Sequence, residues 1–300
     1  MRPRLASFLL GLCLLAAARP AGCAERGTTA WEEESRILRE AWTLSAGGRT
    51  VEVDNYSGPI TITAHAGDRV EAVIHETVAG RTPELLAAAR QEVKLLLEQR
   101  ADGVHLVVDG PFRCRDGEEG GWDDRWSGDW RGWERAGYKV IYAFELRVPQ
   151  QADLVLATVE DGDVRVTGVS GRFDVRNVNG DVTLERIGGA SEAATVNGPL
   201  RVTFASNPSG PSNFTTVNGD VDVAFRTGLD ADLRFKTMNG EAFTEFDYTH
   251  RSLAAPAGDR RKGRFVLQRD GAYGIRIGAG GTELAFATIN GDILVRNQDR

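Results

Sequence analysis

From about residue 150 onward, apolar and polar residues alternate in short runs punctuated by glycine. In Phe173-Asp174-Val175-Arg176 and in Val182-Thr183-Leu184-Glu185 every second side chain is apolar. A period of two places those apolar side chains on one face of a strand and the polar ones on the other, so each run predicts a strand with one buried side. Between the runs the chain repeats one unit: a β-former, Asn or Asp, Gly, and usually an acid and an aliphatic. Asn177-Val178-Asn179-Gly180-Asp181-Val182 and Thr216-Val217-Asn218-Gly219-Asp220-Val221 are two of six copies. The others centre on Asp161-Gly162, Asn197-Gly198, Asn239-Gly240 and Asn290-Gly291, and Asp54-Asn55-Tyr56-Ser57-Gly58 reads as a degenerate early copy.

From Gly162 the glycines are separated by 18, 18, 21 and 21 residues and then by 51. Asn-Gly supplies the positive φ of a tight turn at little steric cost. Two architectures fit. A stack of Asn-Gly hairpins is one; the other is a β-solenoid, or β-helix-like stack, in which each Asn-Gly occupies the same corner of successive coils. The regular period favours the solenoid, because corner geometry recurs once per coil. Thr195, Thr216, Thr237 and Thr288, each three residues before a Gly, are expected to stack into a ladder. The gap of 51 residues is expected to hold an insertion around residues 253–262 or one eroded coil.

The first half differs. Strands are predicted over residues 50–62, 69–77 and 138–148, and a hairpin over 93–97 and 104–108. A short helix is predicted over 83–92, opening with Pro83 and Glu84. This half, residues 25–149, is expected to continue or cap the sheets of residues 150–300, because an open stack exposes unpaired edges. The prediction is an all-β fold with one short helix.

Residues 1–24 read as an export signal: Arg2 and Arg4, an apolar run from Leu5 to Ala18, then Pro20 and small residues up to Ala24. The run is too short for a stable membrane anchor. Cleavage after Ala24 is one expectation and a lipid anchor at Cys23 the alternative. No later stretch is apolar enough to span a bilayer. Cleavage removes three arginines and no acid, taking the formal charge from −7 to −10. An acidic body disfavours nucleic acid as a partner. Of Cys13, Cys23 and Cys114, only Cys114 survives complete cleavage, so no internal disulfide is expected.

At this point the residues carry a resemblance. Thr50-Val51-Glu52-Val53-Asp54-Asn55-Tyr56-Ser57-Gly58, then Leu146-Arg147-Val148-Pro149 leading into Val159-Glu160-Asp161-Gly162-Asp163-Val164, resemble the bacterial DUF4097 family over most of residues 42–297. The repeated Val-Asn-Gly-Asp-Val units are the most specific part. The resemblance implies an exported bacterial β-helix-like protein with an adhesin label and brings no catalytic residues to transfer. The Trp-rich insert and Pro199 depart from the family pattern.

That insert, residues 111–137, holds Trp122, Trp126, Trp130 and Trp133 among Asp, Arg and Gly. It reads either as a loop presenting aromatics to a glycan or envelope protein, or as indoles covering an open end of the stack. The corner residues Asn179, Gly180, Asn197, Gly198, Asn218, Gly219, Asn239, Gly240, Asn290 and Gly291 read as structural turns. Asp163, Asp181, Asp220, Glu241 and Asp292 would form a column beside them. Such a column suits Ca²⁺ or polysaccharide chemistry, yet the Gly-Gly-x-Gly-x-Asp calcium repeat is missing, and stacked Asn side chains stabilise strands without a ligand. His65, His75, His105 and His250 show no zinc spacing, and no P-loop, Rossmann or Gly-x-Ser-x-Gly pattern occurs. Arg260-Arg261-Lys262 reads as a solvated loop. The chain is therefore expected to be a non-catalytic, exported scaffold of adhesin type without cofactor or metal, sited in the periplasm, at the outer membrane or outside the cell. The alternatives are a carbohydrate-active enzyme on a β-helix, and a structural or envelope-stress protein without a small ligand.

Overall fold

The computed structural model describes residues 31–45, 47–111, 136–251, 259–261, 264–266 and 272–300. The first half forms β1 (Glu32–Thr43), β2 (Thr50–Asp54), β3 (Ile60–His65), β4 (Arg69–Gly80), helix α1 (Pro83–Glu92), β5 (Lys94–Gln99), β6 (Gly103–Asp109) and β7 (Tyr138–Pro149). The repeat region continues with β8 (Asp153–Thr158), β9 (Val164–Thr167), β10 (Phe173–Asn177), β11 (Val182–Ile187), β12 (Ser191–Ala194), β13 (Leu200–Phe204), β14 (Ser212–Thr215) and β15 (Val221–Phe225). It ends with β16 (Ala231–Asn239), β17 (Ala242–Thr244), β18 (Tyr248–Arg251), β19 (Asp259–Arg261), β20 (Arg264–Val266), β21 (Tyr273–Ile277), β22 (Thr282–Asn290) and β23 (Ile293–Asn297).

These strands build two large sheets. One has ten strands in the order β1-β4-β7-β3-β9-β11-β13-β15-β23-β17; the other has eleven, β18-β21-β16-β22-β14-β12-β10-β8-β2-β6-β5. The strands before and after each Asn-Gly lie in different sheets and each pairs in parallel with the equivalent strand of the neighbouring unit, as in Val182↔Leu200 and Phe173↔Ser191. The turns therefore do not join hairpin partners. The sheets are nevertheless mixed. β1 and β7 each run antiparallel to β4, as β5 does to β6 at the same end and β16 and β18 do to β21 at the other. A uniform parallel stack is thus too simple a description. Antiparallel strands flank a parallel middle, where a returning chain needs only a short connection.

Chain order and spatial order part company at both ends. Strands β22 and β23 lie between β14–β15 and β16–β17. Likewise β2 and β3 lie inside β6 and β7, pairing with β8 and β9. The gap of 51 residues is therefore no simple insertion between successive units: the last unit returns and wedges in before its predecessor. The strand expected over 50–62 is broken at residues 55–59, which form an early corner of the same kind. Arg260 and Arg261, expected in a loop, belong to β19, which pairs with β20.

The alternation read from the sequence fills the space between the sheets. Val182, Leu184, Leu200, Val202, Val221 and Val223 are at most 1% exposed, and burying each such side chain stabilises by about 1.5–3 kcal/mol. Phenylalanines stack along the core in the same register, Phe214 on Phe286 at 5.5 Å and Phe286 on Phe235 at 5.3 Å. Helix α1 starts where Thr82 accepts a hydrogen bond from the Leu85 amide at 3.3 Å, with Pro83 in the first turn and Arg90 in the last.

Candidate binding face and the Asn-Gly corner

Each Asn-Gly corner is held by contacts that only glycine allows. Gly180, Gly198, Gly219 and Gly291 have φ of +147°, +155°, +158° and +154°. A Cβ at any of them would be driven into the backbone carbonyl of the glycine in the adjacent unit. The column runs Gly58, Gly162, Gly180, Gly198, Gly219, Gly291, Gly240, so the early corner at Gly58 belongs to it and Gly240 comes last in space.

Beside the glycines the asparagines form a continuous amide ladder. Asn197 Nδ2 donates to Asn179 Oδ1 at 2.8 Å, Asn218 to Asn197 at 2.8 Å, Asn290 to Asn218 at 2.7 Å and Asn239 to Asn290 at 2.8 Å. The threonines do not bond to one another. Thr195, Thr216, Thr288 and Thr237 each donate to a glycine carbonyl of the adjacent unit, those of Gly180, Gly198, Gly219 and Gly291, at 2.9–3.2 Å. The acids also work on the backbone. Asp163, Asp220 and Asp292 accept the amides of Asp181, Asp292 and Glu241 at 2.8–2.9 Å. Pro199 has no amide to offer Asp181, which pairs with Arg201 at 3.0 Å.

The outer face of the eleven-stranded sheet carries a shallow groove of about 700 Å³. It crosses parallel strands at one register: Val155, Asp174, Glu192, Asn213 and Ala285 lie side by side on β8, β10, β12, β14 and β22. Arg172, Asp153 and Glu283 line it on one side. Arg176 bridges Asp174 at 3.0 Å and Glu192 at 3.6 Å, and Arg49 reaches Asp153 at 3.4 Å. Acids and an amide in the middle of this row, with small side chains at its ends, suit an extended polar ligand. None of these residues stands out in the sequence, because they are separated by whole repeat units and become neighbours only through the parallel register.

Three further polar clusters stand out, two of them beside the groove, since Glu52 is paired with Val155 and Asp232 with Glu283. His105 is buried between Glu52, at 2.5 Å from Nδ1, and Asp102, at 3.0 Å from Nε2. That contact holds the Asp102 carboxyl below the usual range. Glu76, on the inner face of β4, takes hydrogen bonds from Tyr142 at 2.7 Å and from Arg36 at 2.9 Å. Burial, with the neighbouring carboxylate second, pushes the Tyr142 hydroxyl far up. Asp232 takes two bonds from Arg276, at 2.7 and 3.0 Å, and its carboxyl is held down by them. Among the described residues no group of three His, Cys, Asp or Glu is placed to hold a metal ion. No helix among them is long and apolar enough to cross a membrane. Trp122, Trp126, Trp130, Trp133, Cys23 and Cys114 lie outside the described residues.

The class defined by this arrangement is a mostly-β protein of two mixed sheets, whose parallel middle turns on a column of Asn-Gly corners. Residues 148–267 match the Toastrack DUF4097 family, the family that the Val-Asn-Gly-Asp-Val units resemble. Two solved structures are similar to this chain. One is a putative cell adhesion protein from Clostridium sporogenes, 8% identical, covering 90% of this chain and 100% of its own, with a TM-score of 0.41. The other is a putative adhesin from Bacteroides fragilis, 9% identical, covering 87% and 97%, with a TM-score of 0.36. No curated protein matches.

Proposed function

We propose that this chain is an exported, non-catalytic β-solenoid scaffold of adhesin type, which holds an extended polar ligand across the outer face of its eleven-stranded sheet. A glycan chain of the cell envelope fits best, and an envelope protein segment is the second ligand class. The single observation that carries this reading is the groove at Val155, Asp174, Glu192, Asn213 and Ala285. It spans several strands, is open along its length, and offers carboxylate and amide acceptors to hydroxyl donors. The acids of the corner column support the non-catalytic part, since they spend their oxygens on backbone amides and on Arg201. Residues 1–24, with their basic start and apolar run, support export.

The test is binding of the protein to immobilised envelope polysaccharides, compared with an Asn213→Arg, Ala285→Arg double variant. Both positions point outward, so the fold is expected to survive. At least a tenfold loss of binding is expected. Unchanged binding moves the site elsewhere, and release of soluble sugar from the polysaccharide overturns the non-catalytic reading.

A further inference from the structure

The ten-stranded sheet ends on β1, an edge with which no further strand among the described residues pairs. β1 is 12 residues long and pairs on one side with β4 without a bulge from Glu32↔Gly80 to Thr43↔Arg69. On its other side no strand among the described residues pairs with it, and the Gln99 side chain donates to the Thr43 carbonyl at its C-terminal end. The remaining large-sheet edges are shorter: β5 has 6 residues, β17 has 3 and β18 has 4. Past β7 and β6 the ten-stranded sheet runs on through two strands, β4 and β1, whereas the eleven-stranded sheet adds only β5. Nearly all residues of β1 are exposed, Ile37 by 46%, while Leu38 and Trp42 are half-buried against the core. A long edge of this kind pairs with another strand unless proline, a bulge or unmatched charge prevents it. β1 has neither proline nor bulge. Its inward charges Arg36 and Glu34 are already matched within the chain, by Glu76 and Arg90.

We propose that β1 pairs antiparallel with β1 of a second copy, about a two-fold axis through Leu38, joining the two ten-stranded sheets into one. A two-fold axis perpendicular to the sheet keeps inner faces together, so the axis must pass through a residue and not between two. With the axis at Leu38, Leu38 meets the partner's Leu38, Arg36 meets the partner's Glu40, and Ile37 meets the partner's Arg39. Glu34 meets the partner's Trp42, and no like charges are opposed. Moving the axis to Ile37 opposes Glu34 and the partner's Glu40. Moving it to Arg36 or Arg39 opposes two arginines, and like charges directly across a sheet destabilise the pair. The guanidinium of Arg36 gives two of its nitrogens to Glu76 and, with its side chain 63% exposed, retains donors for a second carboxylate. Glu40 makes no ion pair among the described residues. Strand addition of this kind draws its affinity from main-chain hydrogen bonds and its register from the side chains.

Sedimentation velocity of the intact protein over a range of concentrations tests the proposal. A reversible change from the mass of one chain to that of two is expected. Leu38→Asp, which sets two carboxylates against each other at the axis, is expected to move that change to at least tenfold higher concentration while the far-UV melting curve keeps its shape. A second pair of variants keeps the test open if that one fails to fold. With Cys13, Cys23 and Cys114 changed to serine, Leu38→Cys is expected to cross-link two chains under mild oxidation, and Glu40→Cys to do so far more slowly. A single-chain mass at every concentration with no cross-linking overturns the proposal. So does a dimer indifferent to Leu38→Asp, or equal cross-linking from positions 38 and 40.

Discussion

The parallel middle of the protein and its N-terminal end solve the same problem in opposite ways. Both must satisfy backbone and side-chain polar groups where the two sheets meet or stop. In the middle one solution recurs: glycine lets the corner backbones approach, threonine bonds to the glycine carbonyl of the adjacent unit, and Asn bonds to Asn. At the N-terminal end each solution occurs once. Glu76 is placed by Tyr142 and Arg36, Tyr138 bonds to Glu92, and Thr82 caps helix α1. Repetition spreads stability over many equivalent bonds, so a change at one corner meets the same surroundings as at any other. A singular end concentrates it in a few side chains whose loss nothing repeats.

The sharpest way to break that contrast is at the glycine column. Gly219→Ala combines a positive φ with a clash against the Gly198 carbonyl, and a loss of about 3–4 kcal/mol is expected in urea unfolding. Gly228→Ala shares a positive φ of +80° but has nothing within 4 Å of the new Cβ. It should cost only about 1–2 kcal/mol, the conformational part alone. Equal losses would mean that close approach does not decide the corner. Next comes the singular end: Tyr142→Phe removes a hydrogen bond to a buried carboxylate and is expected to cost about 1.5–2 kcal/mol by the same measurement.

A smaller effect is expected from the amide ladder. Asn218→Ala breaks two links and should cost about 1 kcal/mol, and Asn239→Ala, at the end of the ladder, about half of that. If both cost the same, the ladder does not act as a chain of equal links. The smallest effect concerns Asp232, whose carboxyl Arg276 holds below its ordinary value. A depressed carboxyl stabilises the fold above its unfolded pKa, and that contribution fades as pH falls through the lower folded value. Asp232→Asn should therefore melt slightly below the parent at pH 7, and the two should converge below about pH 4. A gap that persists under acid would assign Asp232 a role other than its charge.

Much of the middle was legible because its signals are local and repeat. The helix at 83–92 was equally plain, since Pro83 and Glu84 open it. β1 was not anticipated: its first half, Glu32-Glu33-Glu34-Ser35-Arg36, has no alternation of apolar and polar residues, since that stretch is exposed on both faces and is under no pressure to show one. The early corner at Asn55-Tyr56-Ser57-Gly58 was legible as a degenerate copy of the turn unit, and it is this corner that breaks the single strand expected over 50–62. The groove was illegible for a different reason. Val155, Asp174, Glu192 and Asn213 are unremarkable singly and acquire meaning only as neighbours.

By itself the sequence determined the strands of the repeat, their inward faces and the glycine corners, because period-two patterning and positive φ act within a few residues. Only the tertiary structure decided the order of the units, including the return of β22 and β23 between earlier strands, and the antiparallel closure at each end. It alone brought the residues of the outer groove together. Parallel pairing joins residues that are distant along the chain, and every unit offers its neighbour an equivalent edge. Which edge is taken depends on how the whole chain packs, and no single segment of the sequence encodes that choice.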